Sequence, residues 1–460
     1  MQALVIDDEP EVRRLLAEIL VEDGWEVSEA ESAERAFEKL SERRWPLVFC
    51  DVILGGENGY AVLQRFTAEQ PQSQVILMTG HGTAVGALDA TAFGAYDYLL
   101  KPFSIEQVTT ISAAVRRRVE RRAGERTKRI EAVAPAAYTS DIVLVGRSPA
   151  FVEVMKLVGR VAATNLPILI TGASGTGKEV VARAIHLRSQ RRRQSFITIN
   201  CGALPAELIE SELFGHVRGA FTGAERDRHG LFEEAEGGTL FLDEITETTP
   251  AFQVKLLRAL QAGEIRRVGS NQTLHVDVRV ITATNRDPTA EVKEGRFRQD
   301  LLYRLNTLRL HLAPLRERRE DILPLVHHFA TRMRPADSPS LAFPLETMKL
   351  LENYDWPGNI RELENVVNLV AALCSYSVPP EALPEYIRED GGATSAEGEQ
   401  QVQASFASKG KEWPKLAEVE GRYVSRVLAH TGGNKQSAAR LLGVDRNTLK
   451  RMIERHSIRE

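Results

Sequence analysis

Two sets of residues in this chain have the types and spacing that chemistry needs. The first begins with Gly172, Ala173, Ser174, Gly175, Thr176, Gly177, Lys178 and Glu179, which follow the apolar run Leu166–Ile170 and precede the helical stretch Val180–Leu187. A strand, a glycine loop and a helix start turn backbone N–H groups and the positive end of a helix dipole toward phosphate oxygens. Lys178 adds a point charge for the β and γ oxygens, so the loop suits a nucleoside triphosphate. Glu179 stands where the general pattern has a hydroxyl for Mg2+, which leaves the metal's contact at this position open. Farther along, Thr239–Leu242 reads as a strand that ends in Asp243 and Glu244. Asp243 can hold Mg2+ directly or through water, and Glu244 can polarise an attacking water.

The second set is acidic. Asp7 and Asp8, then Asp51, then Thr79, then Lys101 each follow a short apolar stretch near the N-terminus. Crowded carboxylates repel one another unless a divalent cation sits among them, and an oxygen-rich cluster suits Mg2+. Asp51 would then be a nucleophile toward a phosphoryl group, with Lys101 and Mg2+ neutralising the charge that develops.

The elements that must position these residues follow from periodicity. Over residues 1–120 the strands Leu4–Ile6, Glu26–Glu29, Leu47–Cys50, Val75–Met78 and Tyr98–Leu100 alternate with amphipathic helices. Five β-α repeats imply a doubly wound, flavodoxin-like parallel sheet whose ligands gather at the carboxyl ends of the strands, where the acidic set lies. Residues 121–142 form a linker. Ile105, Val108, Ile111, Val115 and Val119 recur at helical spacing before a basic stretch, which fits either a dimerising coiled coil or one helix on its own domain followed by solvated chain. The glycine loop and the Asp243–Glu244 pair belong to a second α/β domain over residues 143–384. Within it, Gly219-Ala220-Phe221-Thr222-Gly223-Ala224 reads as a mobile loop tip that exposes an aromatic, costly unless a partner covers it. Residues 385–412, rich in Gly, Ser, Ala, Gln and Glu, form a tether. Residues 413–460 carry helical patterns at Leu416–Leu428, Asn434–Leu442 and Asp445–His456, with Gly443 at the turn of a helix-turn-helix. Arg446, Asn447, Thr448, Lys450 and Arg451 on the third of these can reach bases or phosphates in a major groove.

The whole chain sets outer limits. At 460 residues it is too long for one core, and its net charge of −4 confines any DNA contact to a local surface. Cys50, Cys201 and Cys374 lack paired spacing and read as buried small hydrophobes. No apolar run is long enough to span a membrane and the N-terminus enters a strand at once, so a cytoplasmic protein with no membrane partner is expected.

The central motifs resemble those of the NtrC family of AAA+ activators of sigma-54 RNA polymerase. The most specific is Gly219–Ala224, preceded by Glu210–His216, and the resemblance covers nearly the whole chain. It implies that Phe221 and Thr222 touch sigma-54, that Asn200 restrains Glu244 until nucleotide binds, and that Thr284 and Asn285 sense the γ-phosphate. It also implies a helical lid on the AAA+ domain, that Arg298 and Arg304 reach into a neighbouring subunit's site, and that Arg361 in the lid senses nucleotide. A site completed in trans implies a ring, a hexamer or heptamer built from dimers. The N-terminal region, with V-I-D-D-E, C-D-V-I-L, M-T-G-H-G and L-L-K-P-F, is similar to response-regulator receivers. That similarity makes Asp51 the acceptor of phosphate from a cognate sensor histidine kinase, Asp7 and Asp8 metal ligands, Thr79 and Tyr98 switch residues, and Lys101-Pro102 a place for a cis peptide. Gly55-Gly56 departs from the proline common after the phosphoacceptor. Gly432–Gly443 resembles the Fis-type domain, which binds DNA as a dimer.

The expectation is therefore a phosphorylation-controlled ATPase, using ATP and Mg2+, that remodels sigma-54 polymerase while bound to upstream DNA. Two other readings use the same parts: a DNA-binding repressor whose ATPase only sets oligomeric state, and an AAA+ remodeller outside transcription.

Overall fold

The computed structural model describes residues 1–122 apart from 56, 81 and 82, then 144–221, 224–333, 341–374 and 376–389, and beyond these Lys435, Ala439, Leu449, Lys450, Ile453 and Arg455. They fall in two compact units, Met1–Gly391 and Gly392–Glu460.

The first sheet arises from the alternation expected of it. Strands β1 (Gln2–Ile6), β2 (Glu26–Ala30), β3 (Leu47–Asp51), β4 (Gln74–Thr79) and β5 (Asp97–Leu100) pair in parallel in the order β2-β1-β3-β4-β5. Odd and even residues separate onto two faces: Ala3, Val5, Leu47, Phe49, Ile76 and Met78 pack on one side, Leu4, Ile6, Val48, Cys50, Val75 and Leu77 on the other. Period two turns one sequence pattern into two cores. The covering helices are α1 (Pro10–Glu22), α2 (Ala33–Glu42), α3 (Gly59–Glu69), α4 (Ala84–Ala92) and α5 (Ile105–Arg122). Side-chain caps fix three of their starts, with Ser32, Asn58 and Thr83 accepting from backbone N–H groups of the first turn. Helix α5 runs to Arg122, so a boundary at 120 falls inside its last turn. The region proposed as a coiled coil otherwise lies outside the described residues.

The second sheet is built from β6 (Ile168–Thr171), β7 (Phe196–Asn200), β8 (Thr239–Asp243), β9 (Arg279–Thr284) and β10 (Leu308–His311), parallel and ordered β10-β6-β9-β8-β7. Helix α6 (Pro149–Ala162) precedes it, α7 (Lys178–Leu187) follows β6, and a helical lid closes the domain with α8 (Ile322–Arg332), α9 (Leu345–Asn353) and α10 (Asn359–Leu373) among its helices. The lid has its own core around Leu315, Leu325, Trp356, Leu363 and Val367.

One packing was not legible in the sequence. Helix α4 of the N-terminal sheet lies against α6, and Ala84, Ala87 and Leu88 share a buried cluster with Phe151, Met155 and Val158. The helices approach closely because position 159 has no side chain: a Cβ there would lie 1.9 Å from Thr91 Oγ1 and 2.7 Å from the Leu88 carbonyl. Charged pairs frame the seam, with Lys156 Nζ 2.8 Å from Asp97 and Arg188 Nη2 2.9 Å from Asp89. Burying large apolar side chains at roughly 1.5–3 kcal/mol each outweighs such partly exposed pairs, so packing carries the seam and the ion pairs fix its register.

Candidate functional site

The acidic pocket assembles at the carboxyl edge of the first sheet, as the strand order requires. Asp51 ends β3, Asp7 follows β1, and Lys101 follows β5 at a cis Lys101-Pro102 bond. Lys101 Nζ lies 2.7 Å from Asp51 Oδ2, 2.8 Å from Asp7 Oδ2 and 3.4 Å from Glu9 Oε1. One carboxylate oxygen each from Asp7, Asp8 and Asp51 fall within 4.8 Å of one another, with Asp7 and Asp51 buried and Asp8 exposed. An all-oxygen set of this spacing, on buried acids sharing one ammonium, fits Mg2+. Burial pulls Lys101 down, but hydrogen bonds from it to Asp51 and Asp7 together outweigh that and raise it. Thr79 and Tyr98 are both buried behind the pocket. Burial pushes the Tyr98 phenol up to about 12, against hydrogen bonds to the Thr83 backbone and Thr79. The tyrosine therefore points inward, beneath the start of α4.

Burial is also the main reason the Asp7 carboxyl sits above its ordinary range, partly opposed by the Lys101 hydrogen bond. A folded-state pKa above the unfolded one gives stability that is full at low pH and lost as pH rises through the folded value. At neutral pH Asp7 thus ionises at a cost that a cation would offset. Mg2+ at roughly a hundred times its Kd is expected to add about 2.7 kcal/mol of stability at neutral pH, seen as a higher unfolding temperature, and hardly any near the ordinary carboxylate pKa. Asp7→Asn should stabilise the metal-free protein at neutral pH and abolish the Mg2+ response. Thermal unfolding at the two pH values checks this, and an equal Mg2+ effect at both would place the ion elsewhere.

The second pocket lies at the carboxyl edge of the second sheet. Gly172, Gly175 and Gly177 carry φ values of 156°, 75° and 96°, which open the loop around the start of α7. Lys178, the first residue of α7, is buried, and its Nζ donates to the Gly172 and Ala173 carbonyls at 3.0 Å each. Burial lowers its pKa, against the charges of Asp243 and Glu244. Burial likewise raises Asp243, with Lys178 opposing. Its Oδ1 accepts the Glu244 N–H at 2.9 Å. Glu244 has φ 54°, a left-handed conformation that costs on the order of 1–3 kcal/mol in a non-glycine residue and clusters at working sites. The lid reaches the loop directly. Arg361 Nη1 lies 3.2 Å from Ser174 Oγ, Asn359 Nδ2 donates to the Ser174 carbonyl at 2.9 Å, and the Ile360 N–H donates to the Gly175 carbonyl at 3.0 Å. Thr176 is buried and donates its hydroxyl to the Ala173 carbonyl.

Other residues singled out in the sequence have less direct positions. Asn200 stands beside Asp243 in register, and its Oδ1 accepts the Gly202 and Ala203 N–H groups at 2.8 and 3.1 Å. No hydrogen bond joins it to Glu244; the Glu244 carboxylate instead packs at Gly202, where a Cβ would come within 2.5 Å of Oε2. Thr284 is buried, its hydroxyl 2.8 Å from that of Thr246, while Asn285 is exposed. Glu179 is exposed and pairs with Arg183 at 3.5 Å along α7. Arg298 holds Asp300, and Arg304 caps the Leu260 carbonyl, both on the exposed edge of the domain. Phe221 is 41% exposed, edge-on to His216, on a loop closed by the Gly219 N–H donating to the Ala224 carbonyl. Thr222 lies outside the described residues, as do Arg446, Asn447, Thr448 and Arg451. Lys450 is helical and exposed, next to buried Leu449. Sequence reasoning missed Asn359, Arg318 and Asp321. The last two hide in the charge run R-E-R-R-E-D, which reads as a solvated face.

Comparison with known proteins places these two pockets in a family. The response regulator receiver domain matches residues 3–113, the Sigma-54 interaction domain 144–311, the AAA+ ATPase lid domain 316–400 and the Fis family of bacterial regulatory proteins 415–456. The transcriptional regulatory protein ZraR of Escherichia coli K12 is 42% identical over 460 residues, covering 98% of each chain. The DNA-binding transcriptional regulator NtrC of Azospirillum brasilense is 39% identical, covering 98% of this chain and 96% of NtrC. Among solved structures, NtrX from Brucella abortus in complex with ATP is 32% identical with a TM-score of 0.53, covering 99% of both chains. With motifs, fold and full-length similarity in agreement, the chain belongs to the NtrC family of sigma-54-dependent two-component response regulators, with an AAA+ ATPase domain at its centre.

Proposed function

We propose that the chain is a transcriptional activator that couples phosphorylation of Asp51 to ATP hydrolysis and uses the hydrolysis to remodel sigma-54 RNA polymerase at a promoter. It acts in the cytoplasm, on DNA held by the C-terminal helices, with Lys450 and its neighbours Arg446, Asn447, Thr448 and Arg451 at the groove. The observation that carries the reading is Phe221: a large aromatic left 41% exposed on a glycine-bounded loop of the domain that also carries the Gly172–Lys178 loop. What supports a partner contact is its setting, the sequence Gly219–Ala224 within the residues matched by the Sigma-54 interaction domain, 144–311.

The chemistry divides among named groups. Backbone N–H groups of Gly172–Lys178 cradle the phosphates, Lys178 leaves its loop carbonyls to meet the β and γ oxygens, and Arg361 follows the nucleotide from the lid. Glu244 orients and deprotonates the attacking water. Arg298 and Arg304, on the domain's outer edge, complete the site of a neighbour in a ring, where a guanidinium stabilises transition-state charge. Asp243 would hold Mg2+ here, as Asp7, Asp8 and Asp51 would in the receiver, and the ion supplies charge neutralisation to the phosphoryl oxygens. A sensor histidine kinase donates the phosphoryl group to Asp51.

Thr222→Ala tests the reading. Its hydroxyl is remote from the phosphates in sequence and in chemistry, so ATP turnover should stay within about twofold, while open-complex formation at a sigma-54 promoter is lost. ATPase assay, co-migration with sigma-54 and promoter transcription decide. Loss of turnover together with transcription would make the loop a structural part of the ATPase.

A further inference from the structure

Arg318 and Asp321 sit at the root of the lid, and neither belongs to the phosphate-binding, metal-binding or water-activating groups above. Arg318 is 2% exposed, its Nη2 donates to the carbonyl of Thr176 in the phosphate loop at 2.8 Å, and its guanidinium lies 5.3 Å from the centre of the Phe151 ring. Asp321 is fully buried. Its Oδ1 accepts the Arg147 and Ser148 N–H groups at 2.6 and 2.7 Å, and its Oδ2 accepts the Ser148 hydroxyl at 2.8 Å. The Asp321 N–H donates to the Arg318 carbonyl at 2.9 Å, which binds the two into one turn. A buried carboxylate and a buried guanidinium, each spent on backbone groups of a different segment, join those segments rigidly.

The segment that Asp321 holds is the one that meets the receiver. The Ala84 N–H, at the first residue of α4, donates to the Gly146 carbonyl at 2.9 Å. There is no slack here: a Cβ on Gly146 would lie 2.4 Å from the Phe151 ring and 3.2 Å from Asp321 Oδ1. On the receiver side, the residue before Ala84 is Thr83, whose Oγ1 accepts the Gly86 N–H at 3.1 Å, and the inward Tyr98 hydroxyl lies beside them, where a Cβ on Gly86 would meet it at 2.5 Å. Contacts therefore run without a gap from Tyr98 through Thr83, Ala84, Gly146, Ser148, Asp321 and Arg318 to Thr176, two residues from Lys178.

We propose that Arg318 and Asp321 are positioning residues, a strut through which the state of the receiver sets the conformation of the phosphate loop. The proposal rests on phosphorylation control as read above. Contiguity alone does not establish coupling; a change of affinity that is reciprocal between the two sites does.

The test uses the full chain, a non-hydrolysable ATP analogue as the nucleotide probe, and beryllofluoride with Mg2+ as the phosphoryl mimic at Asp51. In the native chain the mimic should change the analogue's Kd by a factor of about 5–150, and the analogue should change the mimic's affinity by the same factor. Arg318→Lys keeps the charge and loses the planar fork. It should collapse both factors toward one. Ala84→Pro reaches the same link from the other end: proline suits the first position of a helix, and Thr83 already has the extended backbone, φ −118° and ψ 153°, that precedes proline. It removes the N–H given to Gly146 and sets ring carbons against that carbonyl at a buried position, breaking the link at the seam without touching the phosphate loop, so it should lower the coupling while leaving the analogue's affinity for the unmodified receiver state unchanged. This variant also decides the matter if Arg318→Lys does not fold. Native-like coupling in Ala84→Pro overturns the strut, as does an Arg318→Lys protein that loses affinity equally in both receiver states. A native chain that binds the analogue but ignores the mimic overturns phosphorylation control itself, and the strut with it.

Discussion

Glu244→Gln is expected to bind ATP with nearly native affinity and to hydrolyse it roughly two to four orders of magnitude more slowly, the range for loss of a general base. The amide matches the carboxylate in size, so the packing at Gly202 is kept. The left-handed backbone at position 244 is imposed by the end of β8, where the residue's own N–H is tied to Asp243 Oδ1 at 2.9 Å. Glutamine meets the same backbone at similar cost. Burial dominates the pKa shifts of Lys178 and Asp243, with the charge of Glu244 a lesser influence on each, so phosphate and metal binding should survive its removal. Turnover and equilibrium binding of a labelled nucleotide separate the two effects. If affinity falls as far as turnover, Glu244 supports the pocket's architecture and the base is another group.

The local parts of both pockets were legible because each is written in consecutive residues. Four of the five strands end in the acidic set and their order brings Asp7, Asp51 and Lys101 to one edge; the loop Gly172–Lys178 carries its strand and helix with it. What escaped depends on residues brought together from distant segments. Asn359 contacts Ser174 across the lid hinge, and its φ of 54° has no mark in the sequence beyond the glycine before it. Arg318 and Asp321 are buried charges in a run that looks solvated, since composition cannot say which charge finds backbone partners. Helix α4 is apolar almost all round, with Asp89 its one charge, which signals burial but does not say that α6 of the next domain supplies the cover or that the missing side chain of Gly159 lets the two approach. The inferred role of Asn200 concerns a nucleotide-dependent contact, and a single conformation places it on loop N–H groups, beside Glu244 without touching it by hydrogen bond.

Asp51→Asn should remove acyl-phosphate formation entirely while leaving the receiver folded. Phosphotransfer forms a bond from Asp51 Oδ to phosphorus as the donor's bond to phosphorus breaks, and the departing group carries away the electron pair; an amide oxygen lacks the nucleophilicity to begin this. Lys101, 2.7 Å from Asp51 Oδ2, is placed to neutralise the phosphoryl oxygens as the charge moves. The asparagine oxygen can still face Lys101, whose second ion pair, to Asp7 at 2.8 Å, persists. One carboxylate fewer beside buried Asp7 also relieves repulsion that contributes to its raised pKa, so the variant should unfold no sooner than the native chain at neutral pH. Two measurements bear on the outcome: Mg2+-dependent labelling from a small acyl-phosphate donor, and the effect of that donor on ATP turnover. Both should vanish in the variant while basal turnover, assigned above to Lys178, Asp243 and Glu244 on the second sheet, should stay native. Residual Mg2+-dependent label would move the phosphoacceptor to Asp7 or Asp8. Loss of label with an undiminished effect of the donor on turnover would mean that the receiver controls the ATPase by some route other than the aspartyl phosphate.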